Sequence, residues 1–484
     1  MSRGVGGTGR LARSAVWKAL GQATRFASFF LMIVTARVIG PAEFGKFTFA
    51  YALATLLAIV LDFGTSPVLT RAVARAPGTL AERWGAATTL KVVLLGLVGP
   101  VYVAVPLVTH RPWDTTVAVW LLGLALTLQA FIENAVAVFT AVHRLEQEFQ
   151  ARVVEKVVVV AVGFAALGLG AGLLGVAVAF VLAAAVAFAF ATGRIHQRLA
   201  PLHRWWRPAD ARQLARELAP IAQAQFLNVA TSRLAPITLA LLAGDLAAGH
   251  FGAASRIYDV VWVAVISVEA AVYPELARTA SGSPWFRALT TQAFEALLLV
   301  SLPIALGLGV GASWLTSLVY GGGYGPAAPA VALLGSAVAC AMLAHFLGAV
   351  LLALDRPRRL RAIAVLGFAT SLIVVPGLVA IGETLGGAVA VLLVEGVTLG
   401  ASILAVRVLI GWPFGRGAAK GLAAAAAGVV VAGLLPAGWM RLGGALLTYA
   451  AVLAGLRPVP GPVWVRLLRG ALGRPGPPSP AGIE

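Results

Sequence analysis

Charged side chains inside long apolar segments are the residues of this sequence best placed to bind a ligand. Arg25 and Arg233 each lie about ten residues from one end of an apolar run, which places them near mid-depth if the runs cross a bilayer. A mid-bilayer arginine costs about 2.5–3.5 kcal/mol on insertion scales, so it persists where it faces water, a partner or a ligand. Both arginines are therefore candidate binding residues.

Uncharged polar residues accompany the two arginines. Gln22 lies three residues before Arg25 and Asn228 lies five residues before Arg233. Helical spacing allows Gln22 and Arg25 to share a face, and Asn228 adds polar character beside Arg233. We expect these four side chains to face a polar space.

Two further arginines carry an alternative interpretation beside the functional one. Arg37 lies near the end of its apolar run, where its side chain can extend to the membrane surface without binding anything. Arg256 lies three residues before Asp259, so the two can form a local ion pair on one helix. Both arginines are candidate binding residues with these alternatives open.

Acidic residues also occur inside apolar segments: Glu133, Asp259, Glu269, Glu295 and Glu395. Each could exchange a proton or a sodium ion, or could neutralise a nearby arginine. Glu133, beside Asn134, and Asp259 are the candidates for ion coupling. The acids, the six histidines and Cys340 show no metal-ligand spacing, so we expect neither a metal nor a cofactor.

The composition predicts an all-α polytopic membrane protein. Of the 484 residues, 60% are hydrophobic and 12% are charged, against about 25% charged in soluble domains. Apolar runs predict about fourteen membrane-spanning helices. The predicted organisation is a basic N-terminus (1–15), an N-lobe of six helices (16–193), an interlobe loop (194–213), a C-lobe of six helices (214–407), a final helix pair (420–456) and a disordered tail (457–484).

The distribution of basic residues predicts the orientation. With the N-terminus in the cytoplasm, about thirty of the 37 lysines and arginines fall on cytoplasmic segments, as the positive-inside rule requires. Both termini and the 194–213 loop are then cytoplasmic, in a protein of the cytoplasmic membrane. The net charge of +18 therefore reflects membrane topology, and no nucleic acid partner is expected.

A short motif occurs twice. Gly40, Gly45, Phe47 and Ala50 recur with the same spacing as Gly244, Gly249, Phe251 and Ala254, at an offset of 204 residues. Both copies lie at the predicted outer turn between the first two helices of a six-helix block, which favours two parallel lobes over a chance match. The same offset aligns Arg233 with Phe29, one helical turn from Arg25.

The segment 35–71 resembles the polysaccharide-exporter flippases, the Wzx-type branch of the MOP superfamily. The resemblance is carried by Ala36, Arg37, Gly40, Pro41, Phe44, Gly45, Phe49, Ala50, Asp62, Phe63, Gly64, Thr70 and Arg71. It implies a MATE-like fold, in which the first, second, seventh and eighth helices surround a central cavity. Its implied substrate is a polyprenyl-diphosphate-linked glycan, with membrane lipids and polysaccharide polymerase or ligase machinery as further partners.

In such a cavity, Arg25, Arg233 and Arg256 would suit a diphosphate, because guanidinium groups bind phosphate oxygens through paired hydrogen bonds. The mechanism implied is alternating access, in which the lobes close at either face in turn. Three alternatives stay open: a MATE-like cation or drug antiporter, a lipid II flippase of the same superfamily, and a membrane enzyme. The enzyme is disfavoured because the predicted outer turns are short.

Overall fold

The computed structural model describes the backbone of residues 5–198, 206–279 and 283–456. Side chains are described within these ranges except at 5–27, 198, 262–275, 277–278 and 416. The described ranges contain helices, short turns and no strand, so the prediction of an all-α protein is confirmed. The predicted tail at 457–484 lies outside the described residues.

The chain forms two compact units, one ending at Gly252 and the other beginning at Ala253. The helices of the first unit are α1 (Val5–Asp62), α2 (Thr65–Arg75), α3 (Leu80–Val108), α4 (Trp113–Ala141), α5 (Leu145–Gly168), α6 (Gly172–Arg198) and α7 (Pro208–Leu242). Helix α8 (Gly244–Arg278) begins in the first unit. The second unit also contains α9 (Pro284–Tyr320), α10 (Ala328–Ala353), α11 (Pro357–Ile410), α12 (Arg416–Leu434) and α13 (Trp439–Leu456).

The helices are long and apolar enough for a protein that crosses a membrane several times. Among the described residues, nine helical segments meet this condition. One of the nine segments, Ser28–Arg75, runs from α1 through α2, and another is α11. Helix α1 has 58 residues and α11 has 54 residues, whereas a single crossing needs about 20 residues. The chain is therefore a multi-pass membrane protein, while the number of about fourteen spans stays a prediction.

Both of these long helices contain a break. Helix α1 leaves helical geometry at Gly40, where φ is +80°, a conformation that glycine adopts without penalty. Pro41 then begins the next helical stretch, where its missing N–H is not needed. Helix α11 breaks at Glu383, where φ is +46°, between the apolar runs 361–381 and 385–407 that predict two separate spans.

The repeated motif has the same backbone conformation in both copies. Gly244 has φ +87° at the first residue of α8, as Gly40 has φ +80° before the second part of α1. Phe47 and Phe251 are both buried, as are Ala50 and Ala254. The repeat therefore extends from sequence to backbone geometry and burial.

Each unit has its own apolar core. In the first unit, residues of α2, α3, α4, α6 and α7 form one cluster that includes Trp84, Phe139 and Ile195. In the second unit, residues of α9, α10 and α11 form another that includes Phe294 and Phe346. The predicted lobe boundaries stay predictions, and α6 and α7 extend into the predicted 194–213 loop, to Arg198 and from Pro208.

Candidate functional site

Helix α7 carries a polar exposed face in the middle of a predicted membrane span. Asn228 and Ser232 are exposed and lie one helical turn apart, and Arg233 beside them is partly buried. A lipid-facing surface would be apolar here, because exposed polar groups in hydrocarbon have no partners. This face of α7 is therefore suited to line a water-filled space.

A proline increases the polarity of the same face. Pro236 lies inside α7 and has no N–H, so the carbonyl of Ser232 loses its helical hydrogen bond. The Ser232 hydroxyl donates to the carbonyl of Val229 at 2.9 Å, so it does not take the place of the missing N–H. The carbonyl oxygen of Ser232, which lacks its helical donor, thus lies next to Arg233 in the sequence.

One nitrogen of the Arg233 guanidinium has no partner among the described residues. Its Nε atom is buried without a hydrogen-bond partner, and no described carboxylate pairs with the side chain. A buried charge normally has a partner, because leaving one unpaired is costly. An anionic ligand would supply that partner.

The remaining predicted site residues of the first unit lie on α1. The helix includes Gln22 and Arg25, whose side chains lie outside the described residues. Arg37 is exposed, three residues before the break at Gly40, which fits the expectation of a side chain reaching the membrane surface as well as it fits a ligand contact. Their binding roles stay predictions.

In the second unit, Arg256 forms the local ion pair considered above. Its Nη1 atom lies 3.1 Å from Oδ2 of Asp259. The Asp259 side chain is 39% exposed and that of Arg256 is 13% exposed. The pair neutralises part of the charge that a ligand would otherwise meet, and whether Arg256 also binds a ligand, or Asp259 an ion, stays a prediction.

A buried ion pair that the sequence did not reveal lies in the first unit. The Lys91 side chain of α3 is fully buried, with Nζ 3.3 Å from Oδ1 of Asp62, and it also donates to the carbonyl of Ala130 on α4. Lys91 thus connects the end of α1 with α3 and α4. Its position next to the Asp62-Phe63-Gly64 break shows why the chain has an acid there.

Polar side chains around the same break connect α2 with α4. The Thr65 hydroxyl lies 3.0 Å from Oδ1 of Asn134 and 2.9 Å from the carbonyl of Asp62. Asn134 is fully buried, and its Nδ2 atom has no hydrogen-bond partner in the described residues. Asn134 therefore positions the helix break in addition to accompanying Glu133.

Glu133, a predicted coupling residue, is paired with an arginine. Two guanidinium nitrogens of Arg152 on α5 lie 3.2 and 3.3 Å from the two carboxylate oxygens of Glu133. Arg152 also lies 3.6 Å from Glu148, and Gln129 donates to Glu133 at 3.2 Å. Of the two roles open to this acid, partner of an arginine is observed, and ion coupling stays a prediction.

The other intramembrane acids differ in their surroundings. Glu295 on α9 accepts hydrogen bonds from the backbone N–H groups of Gly415, Gly417 and Ala418 at 2.8–3.3 Å. It therefore caps the N-terminus of α12 and joins this helix to α9. Glu395 is partly buried in α11, and the side chain of Glu269 lies outside the described residues. Within the described side chains, no group of three acids, histidines or cysteines could hold a metal.

Several solved transporters share this fold. A lipid II flippase MurJ structure in an inward closed conformation aligns with 90% of this chain and 98% of its own, with a TM-score of 0.69 and 12% identity. An inward-facing MATE multidrug resistance transporter of the MOP superfamily aligns with 82% and 97%, with a TM-score of 0.63 and 14% identity. A MOP superfamily transporter from Pyrococcus furiosus, whose binding pocket is described as reversed in polarity, aligns with 82% and 95%, with a TM-score of 0.50 and 13% identity.

The fold is therefore that of a MOP superfamily membrane transporter. The sequence pattern of the family described as polysaccharide biosynthesis protein matches residues 11–280, more than half of the chain, and the protein belongs to this family. No curated protein sequence shows a significant match to the chain. The resemblance seen in segment 35–71 is thus confirmed.

Proposed function

We propose that this protein is a flippase that moves a polyprenyl-diphosphate-linked oligosaccharide across the cytoplasmic membrane by alternating access. The substrate would be a repeat unit of an O-antigen, capsule or exopolysaccharide. Membership of the polysaccharide biosynthesis family and the transporter fold support this function. The chain would act as a transporter and not as an enzyme, with both termini in the cytoplasm.

The single observation that carries the proposal is the unpartnered Arg233 on the polar face of α7. A diphosphate presents several oxygens that a guanidinium can bind in pairs, and the interaction strengthens where water is excluded. Arg25, on α1 of the same unit, would contribute further positive charge. The polar Gln22, Asn228 and Ser232 would contact sugar hydroxyls.

The charges of the first unit favour an anionic substrate over a cationic drug. Asp62 and Glu133 are each paired with a basic side chain, Lys91 and Arg152. Arg233 has no described acidic partner. An antiporter for cations requires an acid left available for its substrate, and neither of these two acids is available in this conformation.

Lipid binding measured by native mass spectrometry tests this proposal. The wild type and the Arg233→Ala and Arg25→Ala/Arg233→Ala variants are compared on a polyprenyl-diphosphate oligosaccharide and on the same polyprenol without diphosphate. We expect selective binding of the diphosphate form, reduced at least tenfold in the double variant because paired hydrogen bonds to phosphate are lost. Arg441→Ala, which removes an arginine far along the chain on α13, should bind like wild type.

Equal binding of both lipids by the wild type would contradict the proposal, as would unchanged binding by the double variant. A second candidate function is a lipid II flippase, favoured by the fold similarity to MurJ. Including lipid II in the same experiment separates the two, since the second candidate requires lipid II to outcompete oligosaccharide lipids with the same polyprenyl chain.

A further inference from the structure

The two copies of the glycine motif touch each other inside the first unit. A Cβ atom on Gly45 of α1 would overlap the backbone carbonyl of Asp245, and a Cβ atom on Gly249 of α8 would overlap the carbonyl of Pro41. The helices thus meet backbone to backbone, at a distance that only glycine permits. We call this contact, formed by 41–48 and 245–252, the glycine crossing.

The glycine crossing is symmetric in the repeat. Pro41 and Asp245 occupy equivalent positions, as do Gly45 and Gly249. Each glycine therefore contacts the residue that follows the first glycine of the other copy. One turn further on, a Cβ atom on Gly252 would overlap the side chain of Thr48, its own equivalent in the first copy. The repeat thus provides two matching surfaces that fit each other.

One side chain ties the glycine crossing together. Arg111, in the turn between α3 and α4, forms an ion pair with Asp245. It also donates to the carbonyl of Ala240 near the end of α7 at 2.9 Å, and its guanidinium lies 4.8 Å from the centre of the Phe49 ring. Arg111 therefore holds α7 and α8 against α1 and the α3–α4 turn.

A neighbouring ion pair does not span the crossing. Lys46 of α1 lies 2.6 Å from Glu43 of the same helix and 2.5 Å from Asp114 of α4. It joins elements on one side of the crossing only. Lys46 therefore provides a matched control for Arg111, since it is a basic residue within the crossing segment 41–48 with acidic partners of its own.

We propose that the glycine crossing is a reversible closure of the translocation pathway at the predicted outer face, and that Arg111 is its latch. The inference rests on the proposed function, since alternating access requires a contact that forms in one state and separates in the other. Helices that meet through their backbones at glycines can separate easily, because no side chains interdigitate at that contact. The ion pair and the hydrogen bond of Arg111 can be replaced by water when they do.

Cross-linking tests the closure directly. In a Cys340→Ala background, Arg111→Cys and Asp245→Cys are joined by a short reversible bis-thiosulfonate. We expect efficient cross-linking, at least a tenfold loss of oligosaccharide-lipid translocation in proteoliposomes, and recovery after reduction. Translocation by the cross-linked protein at the rate of the reduced protein would overturn the inference.

The yield of cross-linking without substrate gives a second test. Gly45→Ala and Gly249→Ala should each lower the yield several-fold, because a methyl group has no room in the crossing. Gly99→Ala on α3, where a Cβ atom meets nothing within 4 Å, and Lys46→Ala should leave the yield unchanged. Wild-type yield in both crossing variants would overturn the inference, provided that gel filtration shows all variants folded.

The yield does not depend on what is transported. If the wild type fails to move the oligosaccharide lipid, the proposed function fails. If the yield is also insensitive to Gly45→Ala, the closure fails as well. The two proposals are therefore distinguishable.

Discussion

At the scale of single residues, several charges of the first unit form ion pairs, and Arg233 differs from them. Lys91, Arg152 and Arg111 each contact a carboxylate. Arg233 contacts none of the described acids. The proposed function requires such an intramembrane arginine without a described acidic partner, since an anionic ligand would neutralise it.

Removing the buried amine of Lys91 should destabilise the protein. Lys91→Met leaves Asp62 without its partner, and breaking a buried pair in this way costs about 3 kcal/mol. Asp62→Asn/Lys91→Met removes both charges and should recover most of that loss. Unfolding in mixed micelles titrated with denaturing detergent measures the difference. Equal stability of Lys91→Met and wild type would show that the pair contributes nothing.

The sequence predicted charged residues inside the membrane but not their pairing. Glu133 and Arg152 are 19 positions apart on different helices, and helical spacing identifies partners only within one helix. The Arg256–Asp259 pair, three residues apart, could be anticipated for that reason. The pair of Lys91 could not be anticipated, because its apolar sequence neighbours do not indicate which carboxylate it meets.

At the scale of helices, a proline in α9 leaves a carbonyl that another helix uses. Pro303 inside α9 cannot donate to the carbonyl of Leu299. The Tyr449 hydroxyl of α13 donates to that carbonyl at 2.7 Å. Together with Glu295, which caps α12, this bond fixes the last two helices to α9.

Tyr449→Phe should lower the stability of the second unit by about 1 kcal/mol, the usual net contribution of such a hydrogen bond. The loss should appear as a lower midpoint of thermal unfolding in detergent. Pro303→Ala restores an N–H at position 303 that can donate to the carbonyl of Leu299, so Tyr449→Phe should cost clearly less in that background. Equal losses in both backgrounds would contradict the role assigned to the freed carbonyl.

Helix breaks were predictable where glycine and proline cause them. Gly40-Pro41 and Asp62-Phe63-Gly64 both interrupt helical geometry as the sequence indicated. The break at Glu383 falls between the apolar runs 361–381 and 385–407, so its place could be predicted. The positive φ of the glutamate could not, because a non-glycine residue disfavours it. The backbone after the break comes close to the preceding helical stretch at Gly386, where a Cβ atom would overlap the carbonyl of Leu378.

At the scale of the whole molecule, the repeat and the charge distribution predict a parallel two-lobe transporter with both termini inside. Composition alone was sufficient for the membrane class, because 60% of the residues are hydrophobic. Family membership and the fold confirm the membrane class. The glycan could not be read from the sequence, because sugar recognition depends on side chains brought together from several helices.

Reporter fusions test the orientation. A fusion after His110 should place the reporter outside, and fusions after Asp355 and after Glu484 should place it in the cytoplasm, as the distribution of basic residues requires. Alkaline phosphatase activity marks the outer position and green fluorescence marks the inner ones. Phosphatase activity at the C-terminus would show that the number of spans is odd.

Translocation by purified protein tests the central claim most directly. Proteoliposomes carry a polyprenyl-diphosphate oligosaccharide with a fluorescent sugar on both leaflets, and dithionite destroys the label on the outer leaflet. We predict that wild-type protein exposes nearly all of the label, while Arg233→Ala leaves about half protected, as in protein-free vesicles, because the diphosphate loses its partner. Protection of half the label by the wild type, in vesicles shown to contain folded protein, would contradict the account.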